Sequence, residues 1–227
     1  MNLSQKTYST LLFDLDGTLV DSGEGIMRCA QHALAAFGIS VADWHTLRAF
    51  VGPPLEDSFS DFYGFDKADT QRAVEVYRER YFSKGVFEQV PYEGVFDTLR
   101  QIRQCGYRIG LATSKMQRQA NFVTGELFPD FAPLLDGVYA RDDEGVRYTK
   151  ADVVRHALGE LEVNDLSRVL MIGDRKFDIH GAHECGIDAL GVLYGYGDRA
   201  EMEAAGADYV CESMTDLLQF LQTHYSA

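Results

Sequence analysis

The sequence predicts an α/β fold in which a mainly parallel sheet is interrupted by an inserted helical segment. Short apolar runs with the character of buried strands alternate with segments of helical spacing, and this alternation is typical of a parallel sheet. The interval 21–90 breaks the alternation, because it has helical periodicity and no convincing strand. The chain has 227 residues, 46% of them hydrophobic, which is enough for a core domain with a smaller companion. The strand-like runs lie at about 9–14, 107–113, 135–140, 168–173, 188–193 and 208–211.

The helices are predicted from the spacing of apolar side chains. Within the insertion the spacing predicts helices at about 24–37, 54–63 and 66–83. The aromatic residues at helical spacing there are expected to pack in the interior: Phe59, Phe62, Tyr63, Tyr77, Tyr81 and Phe82. After the insertion, Val95, Leu99 and Ile102 recur at helical intervals, and Gly106 lies where a glycine ends such a helix. This helix is expected to cover the sheet.

The composition of the chain excludes some classes of binding partner and indicates the cellular compartment of the protein. The formal charge is −14 and the sequence pI is about 4.7, so nucleic acid and anionic membranes are not expected as partners, since both require a basic surface. The cysteines are scattered, without CxxC pairs, which is typical of reduced thiols and argues against zinc. No window approaches the roughly 18 apolar residues of a membrane helix. The sequence therefore predicts a cytoplasmic protein.

Two carboxylates follow the first strand-like run. Asp14 and Asp16 come directly after apolar residues and before Gly17, so two acids lie side by side where each raises the pKa of the other. A divalent cation relieves such repulsion most simply. In a calcium-binding loop the glycine stands at the sixth position, whereas Gly17 stands at the fourth position counted from Asp14. A calcium loop is therefore disfavoured.

Other polar residues follow later strand-like runs. Thr113 and Ser114 come after the second run, where hydroxyls and a helix N-terminus are expected to favour an anion. Lys150 follows a third run after a short polar loop. Asp174 ends a fourth run, and Asp178 lies one helical turn further if a helix begins there. Acid pair, threonine, lysine and acid in this order are the residue types needed for metal-assisted phosphoryl transfer.

These motifs resemble those of the haloacid dehalogenase superfamily, specifically its phosphatase branch, over essentially the whole chain. Asp14-x-Asp16-Gly17-Thr18 matches the first motif of that family, Thr113 the second, Lys150 the third and Gly173-Asp174-x-x-x-Asp178 the fourth. The resemblance implies a Rossmann-like, doubly wound core formed by residues 1–20 and 91–227. It also implies that residues 21–90 are an all-helical cap domain that closes over the site, and that the protein is a phosphoric monoester hydrolase.

The resemblance also implies a role for each acid. Asp14 would attack phosphorus and form an aspartyl-phosphate, and Asp16 would be the general acid and base. Mg²⁺ would be held by the Asp14 carboxylate, the Asp16 backbone carbonyl and Asp174. Asp178 would lie behind these ligands, orienting a water or pairing with Lys150.

The phosphate would be bound by Thr113, Ser114 and Lys150, which contact its oxygens as charge develops, while Thr18 would steady the turn. The segment 50–55, with Gly52, resembles the cap loop of phosphoglycolate-phosphatase-like members and is expected to contact substrate. The expected substrate is a small phosphorylated metabolite, such as phosphoglycolate, a nucleotide or a sugar phosphate. The chain is expected to be a monomer or homodimer.

Two other functions stay open at this point. A phosphomutase of the same superfamily has the same core, although Gly52 and its neighbours lack the arginine that binds a second phosphate in its sugar-specific members. A phospho-receiver signalling domain also combines acids, a threonine and a lysine, but its phosphorylated aspartate would not lie in the first strand. Gly195-Tyr196-Gly197 lacks the third glycine of a dinucleotide loop, so no nucleotide cofactor is predicted.

Overall fold

The computed structural model describes residues 6–142 and 146–225. The chain divides into two compact units, one of Met1–Leu19 with Tyr92–Ala227 and one of Val20–Pro91. In the described part of the chain, no helix is long and apolar enough to cross a lipid bilayer. We call the first unit the core unit and the second the helical unit.

The strands, in chain order, are β1 Thr10–Phe13, β2 Val20–Asp21, β3 Val90–Pro91, β4 Arg108–Met116, β5 Gly137–Arg141, β6 Val169–Gly173, β7 Asp188–Val192 and β8 Tyr209–Cys211. The α-helices are α1 Gly23–Ala35, α2 Leu55–Tyr63, α3 Lys67–Ser83, α4 Val95–Gln104, α5 Gln117–Phe122, α6 Lys150–Glu160, α7 Lys176–Glu184, α8 Arg199–Ala205 and α9 Met214–Thr223. Short 3₁₀ segments lie at Trp44–Phe50, Gly85–Phe87, Pro129–Leu134 and Leu166–Arg168, and a π-helical turn at Val123–Leu127.

The core unit is built on a parallel sheet flanked by helices. Across the described residues its strand order is β5-β4-β1-β6-β7-β8, and each neighbouring pair is parallel. Each of the predicted strand-like runs overlaps one of these strands, so the predicted α/β class is confirmed. β1 lies in the middle, with β4 on one side and β6 on the other. The carboxyl ends of strands around such a reversal of order form the usual ligand crevice of open α/β sheets.

One face of the sheet carries a continuous apolar core. It joins strand side chains such as Leu12 and Met171 to α6 and α7 side chains such as Val154 and Ile179, all of them buried. Side chains alternate across a strand, so β1 has apolar residues for both faces, and all of its residues are buried. Burial on both faces is what makes the strands of a parallel sheet continuously apolar.

Of the two helices predicted after Val95 and after Thr113, the first forms as predicted and the second begins later in the chain. The helix over Val95–Gln104 forms, and Gly106 follows it with φ +101°, as predicted for the residue that ends a helix. The helix expected after Thr113 begins later, because β4 continues to Met116. The pairing of β4 with β5 shifts register between Thr113 and Met116, so the strand continues through an irregularity. Thr113 and Ser114 therefore lie in the last part of a strand and not at a helix N-terminus.

The helical unit contains α1, α2 and α3, with β2 and β3 paired as a short antiparallel ribbon. α1 and α3 pack together, and Arg80 of α3 makes two hydrogen bonds with Glu88, of 2.8 and 2.9 Å. The expectation that its helical aromatics pack inside holds for some and is wrong for others. Phe59, Tyr77 and Tyr81 are buried, whereas Phe62 and Phe82 are exposed by 49% and 41%.

Candidate active site

Asp14 and Asp16 lie where β1 ends in a tight turn. The backbone N–H of Asp14 still donates to Ile172 O, at 2.9 Å, so Asp14 is held by the neighbouring strand β6. Gly17 has φ +83°, and the N–H of Leu19 donates to Leu15 O at 2.9 Å. A left-handed residue is needed at this turn, which favours glycine. Both carboxylates are buried.

Lys150 joins two of the predicted site carboxylates. Its Nζ lies 2.7 Å from Asp14 Oδ1 and 2.7 Å from Asp178 Oδ1, and it donates to Ala112 O at 2.9 Å. The ammonium thus donates to Asp14 Oδ1 and Ala112 O, and its charge pairs with Asp178 Oδ1. Lys150 is the first residue of α6, and Thr149 caps the helix by accepting from Asp152 N–H. The helix start thus fixes the base of this lysine.

Asp178 is fixed by the start of the next helix. Its Oδ2 accepts from the N–H of Arg175 at 3.1 Å, which leaves Oδ1 toward Lys150. Gly173, the last residue of β6, leaves the space for this side chain, because a Cβ there would lie 2.2 Å from Asp178 Cγ. The interpretation of Asp178 as a partner of Lys150 agrees with this contact.

The backbone of the loop at Gly195 and Tyr196 encloses Asp174, and the sequence did not predict this contact. Its Oδ2 accepts from the N–H of Tyr196 at 2.7 Å, and its Oδ1 accepts from Thr18 Oγ1 at 3.4 Å. A Cβ on Gly195 would lie 2.5 Å from Asp174 Cβ, and one on Gly17 would lie 2.1 Å from Asp174 Oδ2. The Gly195-Tyr196-Gly197 loop therefore serves the acid site. Gly17 and Gly195 both permit close approach to Asp174, and these two glycines were the available sequence signal for its surroundings.

Lys115 is a second lysine of the site and lies outside the four motifs. Its Nζ lies 3.0 Å from Asp16 Oδ2, and both side chains are largely buried. The N–H of Lys115 donates to Thr113 Oγ1 at 3.2 Å, so Thr113 supports the backbone of the lysine. Thr113 is buried, and Ser114 is half-buried. The available sequence signal was a lysine two residues after Thr113, beside the end of a predicted strand.

Burial controls the electrostatics of the acids. It raises the pKa of Asp14 to about 7, although the Lys150 ammonium acts in the opposite direction. Burial, and then the charges of Asp178 and Asp14, raise the pKa of Asp174 well above its usual range. Burial works to lower the pKa of Lys150, but the charges of Asp14 and Asp178 prevail and raise it. The site therefore concentrates negative charge that its own lysines do not fully balance.

Asp14, Asp174 and Asp178 form a group suited to a cation. Each offers a carboxylate oxygen, and these oxygens all lie within 4.8 Å of one another. Carboxylate oxygens are the ligands that hard divalent cations prefer. Gly52 belongs to the helical unit, in the turn before α2, with φ +114°. The core unit thus brings together the predicted acids, Lys150 and Thr113, while Gly52 lies in the other unit.

Comparisons with known proteins agree with this arrangement of acids and lysines in the site. Residues 11–192 match the family model for haloacid dehalogenase-like hydrolases. The chain is 37% identical to a 5′-nucleotidase of Pseudomonas aeruginosa over 217 residues, which cover 96% of this chain and 97% of that one. It is 30% identical to the pyrophosphatase PpaX of Bacillus velezensis, over 95% and 97% of the two chains. Among solved structures, a predicted phosphatase from Clostridium acetobutylicum superposes with a TM-score of 0.91 at 35% identity, over 96% and 99% of the chains.

The family was predicted from four short motifs, and that prediction is confirmed over most of the chain. The motifs lie at the carboxyl ends of β1, β4 and β6 and at the start of α6. The match to the family model spans all of them. The chain therefore belongs to the haloacid dehalogenase-like hydrolase family, as a phosphatase of that family.

Proposed function

We propose that this phosphatase hydrolyses a small phosphomonoester, depends on Mg²⁺ and forms an aspartyl-phosphate on Asp14. One observation carries the proposal: the Lys150 ammonium lies 2.7 Å from both Asp14 and Asp178, beside a group of carboxylate oxygens within 4.8 Å of one another. A nucleophilic carboxylate, a fixed cation and a cation site in one buried place are the requirements of phosphoryl transfer to an aspartate.

The acids fit a bound Mg²⁺. Asp14 and Asp174, with the backbone carbonyl of Asp16, would hold the ion, and Asp178 would stay paired with Lys150. The donor set is all oxygen, and burial, together with the charges of the neighbouring acids, raises the pKa of Asp14 and Asp174, which a bound cation would offset. When bound, the ion neutralises charge on the phosphoryl oxygens.

The residues then divide the reaction into two displacements. Asp14 attacks phosphorus as the bond to the leaving oxygen breaks, and Asp16 gives that oxygen a proton. Asp16 next takes a proton from water, whose oxygen bonds to phosphorus while the bond to Asp14 breaks. Lys150, Thr113 and Ser114 bind phosphoryl oxygens as charge develops on them. Burial excludes water from the charged groups, which strengthens each of these interactions.

For the substrate, we propose a nucleoside 5′-monophosphate. The support is the 37% identity, over nearly the full length of both chains, to the Pseudomonas aeruginosa 5′-nucleotidase. The pyrophosphatase relative makes inorganic pyrophosphate the alternative to compare directly. We propose that the helical unit is the cap of the family and that its turn at Gly52 selects the substrate. We also propose a cytoplasmic monomer or homodimer.

The test is phosphate release from nucleoside 5′-monophosphates, phosphoglycolate, sugar phosphates and pyrophosphate, with Mg²⁺ and with chelator. Wild-type protein should release phosphate only with Mg²⁺, and fastest from a nucleoside monophosphate. Asp14→Asn should lower turnover on the order of 10⁴-fold or more, because it removes the nucleophile. Asp130→Asn, at an exposed aspartate, is the matched control and should leave turnover unchanged. Full activity of Asp14→Asn, or equal release in chelator, would refute the proposal.

A further inference from the structure

Lys115 and Asp16 form a buried ion pair whose purpose is not explained by the family motifs. Lys115 Nζ lies 3.0 Å from Asp16 Oδ2, and the two side chains are only 4% and 12% exposed. An ammonium and a carboxylate lose hydration when they are buried, and their attraction often does no more than offset this loss. A gain in stability is therefore a poor reason for the pair.

The backbone directs Lys115 toward Asp16. β4 and β5 shift register between Thr113 and Met116, and such irregularities turn side chains into sites at sheet edges. The N–H of Lys115 also donates to Thr113 Oγ1, at 3.2 Å, which fixes the lysine at the end of the strand. β4 is the direct neighbour of β1, the strand that ends just before Asp14 and Asp16. The ion pair thus connects the ends of two adjacent strands.

The two oxygens of Asp16 have different surroundings. Oδ2 is held by Lys115, whereas Oδ1 is buried and has no hydrogen-bond partner among the described residues. A buried polar atom without a partner is uncommon and costs free energy. The pair therefore fixes the carboxyl group by one oxygen and leaves the other for a partner that the protein does not supply.

We propose that Lys115 is a positioning residue, which holds Asp16 so that its Oδ1 meets the leaving-group oxygen of the substrate. This inference rests on the proposed role of Asp16 as general acid and base. The proton moves from Asp16 Oδ1 to the leaving oxygen as the phosphorus–oxygen bond breaks, and in the second displacement Oδ1 takes a proton from water. Lys115 neither gives nor takes a proton. Its contribution is the orientation of the carboxyl group, and orientation is a large part of what such catalysis requires.

The test uses two substrates of nearly the same shape, phenyl phosphate and 4-nitrophenyl phosphate. Phenolate is a poor leaving group that needs a proton, whereas 4-nitrophenolate leaves without one. Lys115→Met should lower kcat/KM for phenyl phosphate by on the order of 10²-fold, within the range of general acid catalysis, and kcat/KM for 4-nitrophenyl phosphate by less than about 3-fold. The comparison uses kcat/KM because this constant reports the steps up to departure of the leaving group, whereas hydrolysis of the aspartyl-phosphate is common to both substrates and enters only kcat. Lys115→Arg, which keeps the charge, should restore much of the lost rate.

A structural role for Lys115 would give a different result. Loss of fold or of general rigidity would lower kcat/KM on both substrates by the same factor, and this result, or no loss of kcat/KM on phenyl phosphate, would overturn the inference. Lys67→Met, at an exposed lysine of α3, is the matched control. Failure of the wider proposal is recognised separately, because wild-type protein would then release no phosphate or Asp14→Asn would stay active.

A double variant keeps the test decisive if Lys115→Met does not fold. Lys115→Met with Asp16→Asn removes both charges of the pair, so that no unpaired charge is left buried. If Lys115 acts through Asp16, the double variant should hydrolyse phenyl phosphate at the same rate as Asp16→Asn alone. A further loss of 5-fold or more beyond Asp16→Asn would show an independent role for Lys115 and would overturn the inference.

Discussion

Lys150 combines a structural and a proposed catalytic role in one side chain. Its ammonium serves Asp14, Asp178 and the carbonyl of Ala112. Lys150→Ala removes the cation and leaves two buried carboxylates without it. We expect turnover to fall on the order of 10²-fold or more, because a fixed donor to transition-state charge is lost. We expect the free energy of unfolding to fall by about 3 kcal/mol, because uncompensated buried charge remains.

Steady-state phosphate release and urea unfolding measure these two losses. Lys67→Ala, at an exposed lysine that also begins a helix, is the matched control and should change neither quantity. Wild-type turnover in Lys150→Ala would mean that the lysine contacts no reacting atom.

Asp174 should determine the response to the metal. Wild-type protein should melt at a higher temperature in Mg²⁺ than in chelator, because binding to the folded state alone stabilises it. At a concentration about 100 times Kd the rise should be ~5 °C or more for a chain of this size. Asp174→Asn should lose most of this rise, since it removes one of the three clustered carboxylates.

The melting temperature in chelator provides an internal comparison. Asp174→Asn should melt there no lower than wild type, because it removes a carboxylate whose charged form is disfavoured by burial and then by the charges of Asp178 and Asp14. Asp130→Asn should keep the whole Mg²⁺ response. An undiminished response in Asp174→Asn would exclude this carboxylate from the metal site.

At the scale of elements, residues at strand ends could be predicted and residues that depend on irregular backbone could not. Asp14 and Asp174 directly follow apolar strands, and their place at one edge of the sheet follows from parallel pairing alone. The pairing of Lys115 with Asp16 depends on a register shift in β4, which no periodicity reveals. The Tyr196 N–H that binds Asp174 comes from a loop whose course the sequence pattern does not specify.

Helices α6 and α7 contain a matched pair of glycines that tests how packing positions Lys150. A Cβ at Gly159 of α6 would meet nothing within 4 Å, whereas one at Gly181 of α7 would lie 2.6 Å from Lys150 Cγ. Gly159→Ala should therefore raise the free energy of unfolding by ~0.5–1 kcal/mol, the usual difference in helix propensity. Gly181→Ala should instead lower stability and turnover, because it displaces Lys150. Equal effects of the two changes on turnover would show that this contact is unimportant.

At the scale of the whole molecule, composition and periodicity predicted the class of fold but not the order of its strands. The alternation of strand-like and helical segments indicates parallel strands. It does not say that β1 lies between β4 and β6, because that order is decided by long-range packing of helices onto the sheet. The grouping of the site residues around β1 therefore required the structure, or the family resemblance, in addition to the sequence pattern.

The charge of the whole chain opposes the binding of its proposed substrate. The formal charge is −14, and at the site the carboxylates of Asp14, Asp16, Asp174 and Asp178 outnumber two lysines. A phosphomonoester is an anion, so long-range repulsion should slow its approach at low ionic strength. Raising the salt concentration from 0.01 to 0.15 M shortens the screening length from about 30 to about 8 Å.

We therefore expect kcat/KM to rise with salt, by about two- to threefold over that range, as screening weakens the repulsion of the substrate. Steady-state kinetics in a NaCl series at constant free Mg²⁺ measures the change. A parallel series in glycerol, a neutral solute, at matched viscosity shows how much of the change in kcat/KM comes from diffusion and not from electrostatic screening. A fall in kcat/KM with salt would mean that local positive charge, from the metal and the site lysines, dominates the field that the substrate meets. The sign of the change in kcat/KM with salt thus shows whether the charge of the whole molecule or the charge of its site dominates the approach of the substrate.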